Sequence, residues 1–296
     1  MRRAPSRSLV ARFSILGALV LLSATICRAQ SPPSSRGEPC GQLVTLETHA
    51  RSTTRYAFGS SPGAGAQGVP FTLVLLPGGS GHVDLGENGC PSALKGNLLV
   101  RSIPLFRAAG FNTALVDAPS DHQDEDGLGG FRITTQHADD IGEVIADLRT
   151  RTQGSVWLAG TSRGSISAAN AAARLTGRFA PDGVVLTSSL MSGDSAARKK
   201  WVAQSVFDVP LEDIRLALLL VGHAADQCVR SPANLMDSVM ARTHSARRQV
   251  VTVVGGPGYS GSPSIHACEG RAPHGFVDQE AEVVSGIGRF IRGGNF

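Results

Sequence analysis

The sequence predicts one α/β domain whose central sheet is mostly parallel and is covered by helices on both faces. Short apolar runs alternate along the chain with segments of helical periodicity, and such alternation is typical of parallel sheets built with right-handed crossovers. The sequence shows no internal repeat and no second apolar core. Its 42% hydrophobic residues, 35 glycines and 16 prolines fit a globular protein and exclude a collagen, a coiled coil and a largely disordered chain.

Eight segments have the character of strands. The clearest is Phe71–Leu76, a nearly continuous apolar run between Pro70 and Pro77, which is typical of a strand buried on both faces. The other strands are predicted at Leu43–Thr48, Arg55–Phe58, Asn112–Val116, Ser155–Leu158, Val184–Thr187, Ala217–Val221 and Val250–Val254.

Five segments have helical patterns. The longest is Thr134–Thr152, in which Ile141, Val144, Ile145 and Leu148 follow one another at helical spacing. The other helices are predicted at Gly96–Ala109, Arg163–Leu175, Asn234–Arg242 and Asp278–Ile291. Pro104 lies inside the first of these and predicts a kink or a later start of that helix.

The N-terminal segment has the form of a secretory signal peptide. A basic stretch precedes the uncharged run Phe13–Cys27, which is short for a membrane span, and cleavage is predicted after Ala29. Residues 30–39 would then be a Pro/Ser-rich linker and residues 40–296 the folded domain. Two alternatives are an uncleaved anchor and a lipoprotein acylated at Cys27.

Loss of this segment changes the charge of the protein. The chain has a net charge of +4 and a pI near 9.0, but residues 1–29 contain five arginines and no acidic residue, so that +4 − 5 leaves −1. A near-neutral mature protein argues against nucleic acid as a partner and against stable membrane association. Four cysteines remain, and an even number in an exported chain predicts two disulfides with three possible connectivities.

The strongest motif is Gly160-Thr161-Ser162-Arg163-Gly164, which joins a predicted strand to a small-residue helix. By itself the pattern could be an ordinary glycine-rich turn. In a strand-turn-helix context it is typical of a nucleophile elbow, in which a sharp turn exposes the serine hydroxyl above the sheet.

With this motif the chain resembles the α/β-hydrolase superfamily over nearly all of its mature length. That family orders its catalytic residues as nucleophile, acid and histidine. The resemblance implies Ser162 as the nucleophile, Asp226 after the strand ALLLV as the acid, and His274 in the segment Pro273-His274-Gly275-Phe276 as the base. A serine hydroxyl needs such a base, and the carboxylate orients the imidazole.

The resemblance also implies an oxyanion hole. Its donors would be the backbone N–H of Arg163 and that of Gly79, with Ser80 as the alternative to Gly79. Many relatives begin this turn with His-Gly, whereas this chain has Pro77-Gly78. Because the loops of Asp226 and His274 should meet, the resemblance further implies a Cys228–Cys268 disulfide, which leaves Cys40 to pair with Cys90.

The expected protein is therefore an exported serine hydrolase that cleaves a carboxylic ester through an acyl-enzyme. Its expected partner is a small-molecule acyl substrate, and neither a cofactor nor a metal is expected; the oligomeric state is left open. Fewer than thirty residues separate the strands near Thr187 and Leu216, too few for a large cap domain. Alternatives are a thioesterase, a peptidase or a non-catalytic binding protein on the same fold.

Several other residues compete for the catalytic roles. His266 lies in the same loop as His274, and His223 lies on the loop of Asp226, where a polar structural role is the simpler interpretation. Asp208 and Asp213 precede their strand instead of following it.

Two motifs have simpler explanations than a cofactor or a metal. Residues Gly63–Gly68 match a dinucleotide fingerprint, but a strand follows them where that site needs a helix. The acidic cluster Asp121, Asp124, Glu125 and Asp126 lacks the closing glutamate of a calcium-binding EF-hand loop and is expected to be a solvated loop.

Overall fold

Eight strands form one sheet in the order β1-β2-β4-β3-β5-β6-β7-β8. The structure is a computed structural model that describes Met1 and residues 39–65 and 68–296, so the predicted signal peptide lies outside the described residues. The strands are β1 Gln42–Glu47, β2 Thr53–Gly59, β3 Phe71–Leu76, β4 Asn112–Val116, β5 Ser155–Thr161, β6 Gly183–Thr187, β7 Ala217–His223 and β8 Arg248–Val253.

Most of the sheet is parallel. Strands β3 to β8 pair in parallel, whereas β2 is antiparallel to both β1 and β4. The antiparallel pair follows from the short connection between β1 and β2, since a parallel pair would need a long crossover. The predicted α/β architecture is confirmed.

In the described part of the chain, six α-helices cover the sheet: α1 Leu98–Arg101, α2 Ile103–Ala108, α3 Thr135–Thr152, α4 Gly164–Arg174, α5 Met236–Ala241 and α6 Glu280–Ile291. The segment Gly96–Ala109, predicted as a helix with a kink or a later start at Pro104, divides at Ser102 into α1 and α2. Pro104 lies in the first turn of α2, where its missing N–H costs nothing. The start of α5 is also later than predicted, because the residues after Pro232 form a 3-10 turn.

Side chains of the central strands alternate between two apolar cores. In β3, Val74 and Leu76 pack on the face covered by α3, α4 and α5, while Leu73 and Leu75 pack on the face covered by α1, α2 and α6. A strand with both faces buried has no polar face, which explains the continuous apolar run that the sequence shows here.

The carboxyl ends of the parallel strands lie at one edge of the sheet, where loops from β3, β5 and β7 come together. The segment between β6 and β7 contains three short 3-10 helices and no cap domain. Among the residues that the structure describes, no helix is both long and apolar enough to cross a membrane.

Candidate active site

The turn between β5 and α4 holds Ser162 in a strained backbone conformation. Its φ is +51°, in the left-handed region that residues other than glycine rarely adopt. The Ser162 N–H donates to the carbonyl of Thr187 on β6 (3.0 Å), and the Ser165 hydroxyl donates to the Ser162 carbonyl (2.6 Å). These two hydrogen bonds maintain the turn that the sequence motif predicts.

The two glycines of the motif are required by close approach. A Cβ on Gly160 would lie 2.4 Å from the carbonyl oxygen of Gly164, and a Cβ on Gly164 would lie 1.9 Å from that of Leu76. Both distances are far inside van der Waals contact, so any side chain would force strand and helix apart. The spacing of the motif thus follows from the packing of α4 against β3 and β5.

Asp226 and His274 meet as the sequence predicts. Asp226 lies three residues beyond the end of β7, and its Oδ2 is 2.9 Å from Nδ1 of His274. Both side chains are buried, at 2% and 3% exposure. The backbone N–H of Cys228 donates to the other carboxylate oxygen at 2.8 Å.

A third side chain, Ser231, joins this pair and was missed by the sequence analysis. Its Oγ donates to Oδ2 of Asp226 at 2.7 Å and lies 2.9 Å from Nδ1 of His274. Ser231 is itself buried. The Asp226 carboxylate thus accepts hydrogen bonds from the Cys228 N–H and the Ser231 hydroxyl and lies within hydrogen-bond distance of Nδ1 of His274.

Among the described residues, the second ring nitrogen of His274, Nε2, is buried and has no hydrogen-bond partner, and the Ser162 hydroxyl is not bonded to it. His274 and Ser162 line the same cavity of about 260 Å³, together with Leu94, Leu98 and several glycines. A buried nitrogen without a partner beside a cavity is suited to exchanging a proton with a molecule or hydroxyl group in it.

The loop after β3 faces the Ser162 turn at close range. A Cβ on Gly78 would lie 2.8 Å from Cβ of Ser162 and 3.4 Å from the backbone nitrogen of Arg163. Within residues 39–65 and 68–296, the backbone N–H groups of Gly79, Ser80 and Arg163 donate to no acceptor. These are the N–H groups that the sequence analysis assigned to an oxyanion hole.

Arg132 fixes this loop by hydrogen bonds, and no feature of the sequence indicated that role. Its guanidinium donates to the carbonyls of Pro77 (3.2 Å) and Gly79 (3.4 Å) and to the hydroxyl of Ser167 (2.7 Å). Burial, with the charge of Arg163 added, lowers the pKa of Arg132, but a guanidinium remains charged in proteins. Three oxygen acceptors take the place of a carboxylate partner.

Arg101 anchors the loop that carries His274. From α1 it donates to the carbonyls of Gly270 (2.9 Å) and Gly275, on either side of His274, and pairs with Glu280 at 2.7 Å. The Ser188 hydroxyl donates to the His274 carbonyl at 2.7 Å. A histidine followed by Gly-Phe could be recognised in the sequence, but these supports from distant segments could not.

Within the described residues there are two disulfides, Cys228–Cys268 and Cys40–Cys90, which is the pairing that the resemblance implied. The first joins the loop of Asp226 to the loop of His274. These loops also pair through their backbones, since Ser264 N–H donates to Gln227 (3.0 Å) and Val229 N–H donates to Ser264 (3.3 Å). Both catalytic candidates therefore lie on one cross-linked unit.

The competing residues lie elsewhere. His266 is exposed, and His223 is buried between Gln279 and the backbone N–H of Ala225, away from Ser162. Asp208 caps a 3-10 turn through Ser205, and Asp213 is exposed. Of the acidic cluster, Asp124 accepts from backbone N–H groups of its own turn and Asp126 pairs with Lys199.

Comparison with solved structures identifies the fold family of the chain. Neither a protein-family model nor a curated protein matches the sequence. The monoacylglycerol lipase of Paleococcus ferrophilus has a TM-score of 0.51 and 16% identity, over 80% of this chain and 97% of the lipase. A soluble variant of the Saccharomyces cerevisiae monoglyceride lipase has 0.56 and 8%, over 90% of this chain and 100% of the other.

A third structure carries the family in its name. The alpha/beta hydrolase domain-containing protein 10 of mouse has a TM-score of 0.54 and 11% identity, over 84% of this chain and 98% of its own. The chain therefore has the α/β-hydrolase fold. The resemblance predicted from the order of the sequence motifs is confirmed at the level of the fold.

Proposed function

We propose that the protein is a serine hydrolase that cleaves carboxylic esters, with Ser162 as nucleophile, His274 as base and Asp226 as the acid that orients His274. The observation that carries the proposal is the difference between the surroundings of the two ring nitrogens of His274. Asp226 binds its Nδ1, while Nε2 is buried, without a partner, at the cavity that Ser162 lines. The α/β-hydrolase fold and the lipases among its structural neighbours support the same class of reaction.

In the first step, the Ser162 Oγ attacks the acyl carbonyl carbon and its proton passes to Nε2 of His274. The carbonyl oxygen becomes an oxyanion, which the N–H groups of Arg163 and Gly79 would stabilise. Asp226 stabilises the imidazolium and keeps the neutral ring in the tautomer whose Nδ1 carries the proton.

The tetrahedral intermediate then expels the alcohol, which takes the proton from Nε2, and leaves Ser162 acylated. Water enters, gives a proton to Nε2 and attacks the ester carbon. The second intermediate collapses to the free acid, and the proton returns from His274 to Ser162.

The cavity favours a short acyl or alcohol group. Its volume of about 260 Å³ lies just below the range of about 300–1,000 Å³ that is typical of ligand sites. Leu94 and Leu98 give it an apolar wall, and the glycines leave little side-chain surface for a charged substrate to contact. We therefore expect short-chain esters to be better substrates than long-chain ones.

We also propose that the protein is exported, with residues 1–29 removed. The basic and apolar pattern of that segment and the two disulfides support export. Expression of the full chain in a bacterial host, followed by intact-mass analysis of the periplasmic fraction, should give a protein that begins at Gln30. A periplasmic product that keeps residues 1–29 would contradict cleavage.

The direct test of the function is labelling by a fluorophosphonate probe, followed by mapping of the labelled peptide. We expect a single label on Ser162, because the probe reacts with an activated serine. The Ser162→Ala variant is the control and should not be labelled. A label on another serine would overturn the assignment of the nucleophile, and the absence of any label would favour a binding protein.

A first prediction concerns Ser231. Its hydrogen bond to the Asp226 carboxylate should contribute about 1.5–3 kcal/mol to the free energy of unfolding, as hydrogen bonds to charged groups do. If it serves mainly to hold Asp226 and His274 in place, Ser231→Ala should lower kcat by about 10-fold to 100-fold in an ester-hydrolysis assay. Ser92→Ala is a control for the loss of a serine–carboxylate hydrogen bond at the surface, since Ser92 donates to Asp84 and neither residue lines the cavity. Equal kcat in the two variants would contradict a role for Ser231.

A second prediction concerns the Cys228–Cys268 disulfide. We expect the double variant Cys228→Ser/Cys268→Ser to lose at least about tenfold in kcat at a temperature where it is still folded, because a loosened loop no longer keeps His274 near Ser162.

The other disulfide supplies a matched control. The sequence separations are 40 and 50 residues, so the chain-entropy model gives each bond about 4 kcal/mol of stability. Cys40→Ser/Cys90→Ser should therefore lower the melting temperature by a similar amount while kcat stays near that of the unmodified protein. The geometric role of Cys228–Cys268 would be wrong if both double variants kept full kcat below their melting temperatures.

A further inference from the structure

A second group of chemistry-bearing side chains lies outside the cavity of Ser162 and His274. His49 comes from the turn between β1 and β2, and Asp121 and His122 come from the loop after β4. One ligand atom from each lies within 4.8 Å of the other two. None of the three lines the cavity described above. A tetrahedral ion with ligand bonds of about 2.1 Å separates its ligand atoms by about 3.4 Å, so small movements would bring these atoms to an ion.

His49 is held as a metal-binding histidine usually is. Its Nδ1 lies 2.7 Å from Oδ2 of the buried Asp140, which also accepts from the His49 backbone N–H at 3.2 Å. A carboxylate behind the imidazole fixes the tautomer and the ring orientation of metal-ligating histidines. Nε2 is thereby aimed at Oδ2 of Asp121, at 2.9 Å.

The other two side chains are oriented as well. The Ser52 hydroxyl donates to Oδ1 of Asp121 at 2.9 Å, which leaves Oδ2 for the centre of the group. The ring of His122 stacks on Phe131 with 4.1 Å between ring centroids and 22° between planes. Within the described ranges, neither ring nitrogen of His122 makes a hydrogen bond.

The surroundings favour a cation. Glu47, Asp139 and Glu143 line an adjacent cavity together with His49 and Asp140. Two imidazoles and one carboxylate are a ligand set that suits zinc, whereas calcium and magnesium prefer oxygen ligands alone.

We propose that His49, Asp121 and His122 form a zinc site, with water in the fourth position and Asp140 as the partner of His49. The sequence analysis expected no metal and did not connect His49 with Asp121, which lies 72 residues further along the chain. The site would connect the β1–β2 turn to the segment that runs from Asp121 to Arg132. Within that segment, the N–H of Leu128 donates to the carbonyl of Ser80 at 2.9 Å. Zinc would therefore stabilise the segment whose residues Leu128 and Arg132 hold the Gly79–Ser80 turn.

Binding and stability test the proposal without any assay of ester hydrolysis. Tag-free protein is treated with EDTA, dialysed and titrated with zinc chloride by calorimetry, and its melting temperature is measured with and without zinc. We expect one zinc per chain and a melting temperature raised by several degrees. Diffraction at the zinc absorption edge should place the ion among the three side chains.

Two variants remove ligands with little change of shape. His122→Phe keeps the stacking on Phe131, and Asp121→Asn keeps an acceptor for Ser52; each should weaken zinc binding by at least about tenfold. His266→Ala, which removes an exposed histidine elsewhere, should bind zinc as the unmodified protein does. Failure to bind zinc, stronger binding of calcium or magnesium, or unchanged zinc affinity in both ligand variants would overturn the proposal.

Discussion

Ser162→Ala is expected to lower kcat/KM for a short-chain aryl ester by about 10³-fold or more. Removing one member of a nucleophile–acid–base unit disables the whole unit, and the remaining activity comes from binding and the oxyanion hole. In the described chain the Ser162 hydroxyl makes no hydrogen bond, so its removal breaks none. A backbone φ of +51° is about as strained for alanine as for serine, because both residues have a Cβ. The melting temperature should therefore change little.

The measurement is a steady-state assay paired with thermal unfolding. Ser260→Ala, at an exposed serine, is the control and should keep both activity and stability. A Ser162→Ala protein that retained most of its activity would remove Ser162 from the mechanism.

His274→Ala is expected to lower kcat about as strongly as Ser162→Ala, because the hydroxyl then has no base to take its proton. This change also takes a donor from the buried Asp226 and leaves a cavity, so some stability should be lost. His274→Asn separates the two effects: its amide N–H can still reach Asp226, but nothing replaces Nε2. We expect the Asn variant to be more stable than the Ala variant and equally inactive.

The matched control for His274 is His266, an exposed histidine of the same loop. His266→Ala should keep its kcat within a few-fold in the same assay. If His266→Ala were inactive and His274→Ala active, the base would be misassigned although the fold would stand.

Much of the fold could be predicted because its strands are buried on both faces. The run Phe71–Leu76 and the pattern of α3 each follow from burial alone, so apolar periodicity located them. The motif around Ser162 could be recognised because steric limits require glycine at Gly160 and Gly164. The division of α1 from α2 was less visible, since Pro104 is compatible with either a kinked helix or a new one.

The supports of the candidate site could not be predicted. Ser231, Arg132 and Arg101 are a serine and two arginines with no periodicity or spacing that separates them from others of their kind. Arg101 meets Gly270 and Gly275 across more than 160 residues of chain, and such pairings are set by the folded loops. The roles of single loop residues therefore cannot be predicted from the sequence, whereas strands and motifs can be.

The placement of Arg132 has a consequence for the energetics of catalysis. In water, solvent dipoles must reorient as charge develops on a carbonyl oxygen, and that reorganisation adds to the barrier. Here the guanidinium of Arg132 fixes the loop through the carbonyls of Pro77 and Gly79. In the proposed reaction, the N–H dipoles of that loop would be oriented before a substrate arrives. Their order would be established when the chain folds, so that little reorganisation energy would be needed in each turnover.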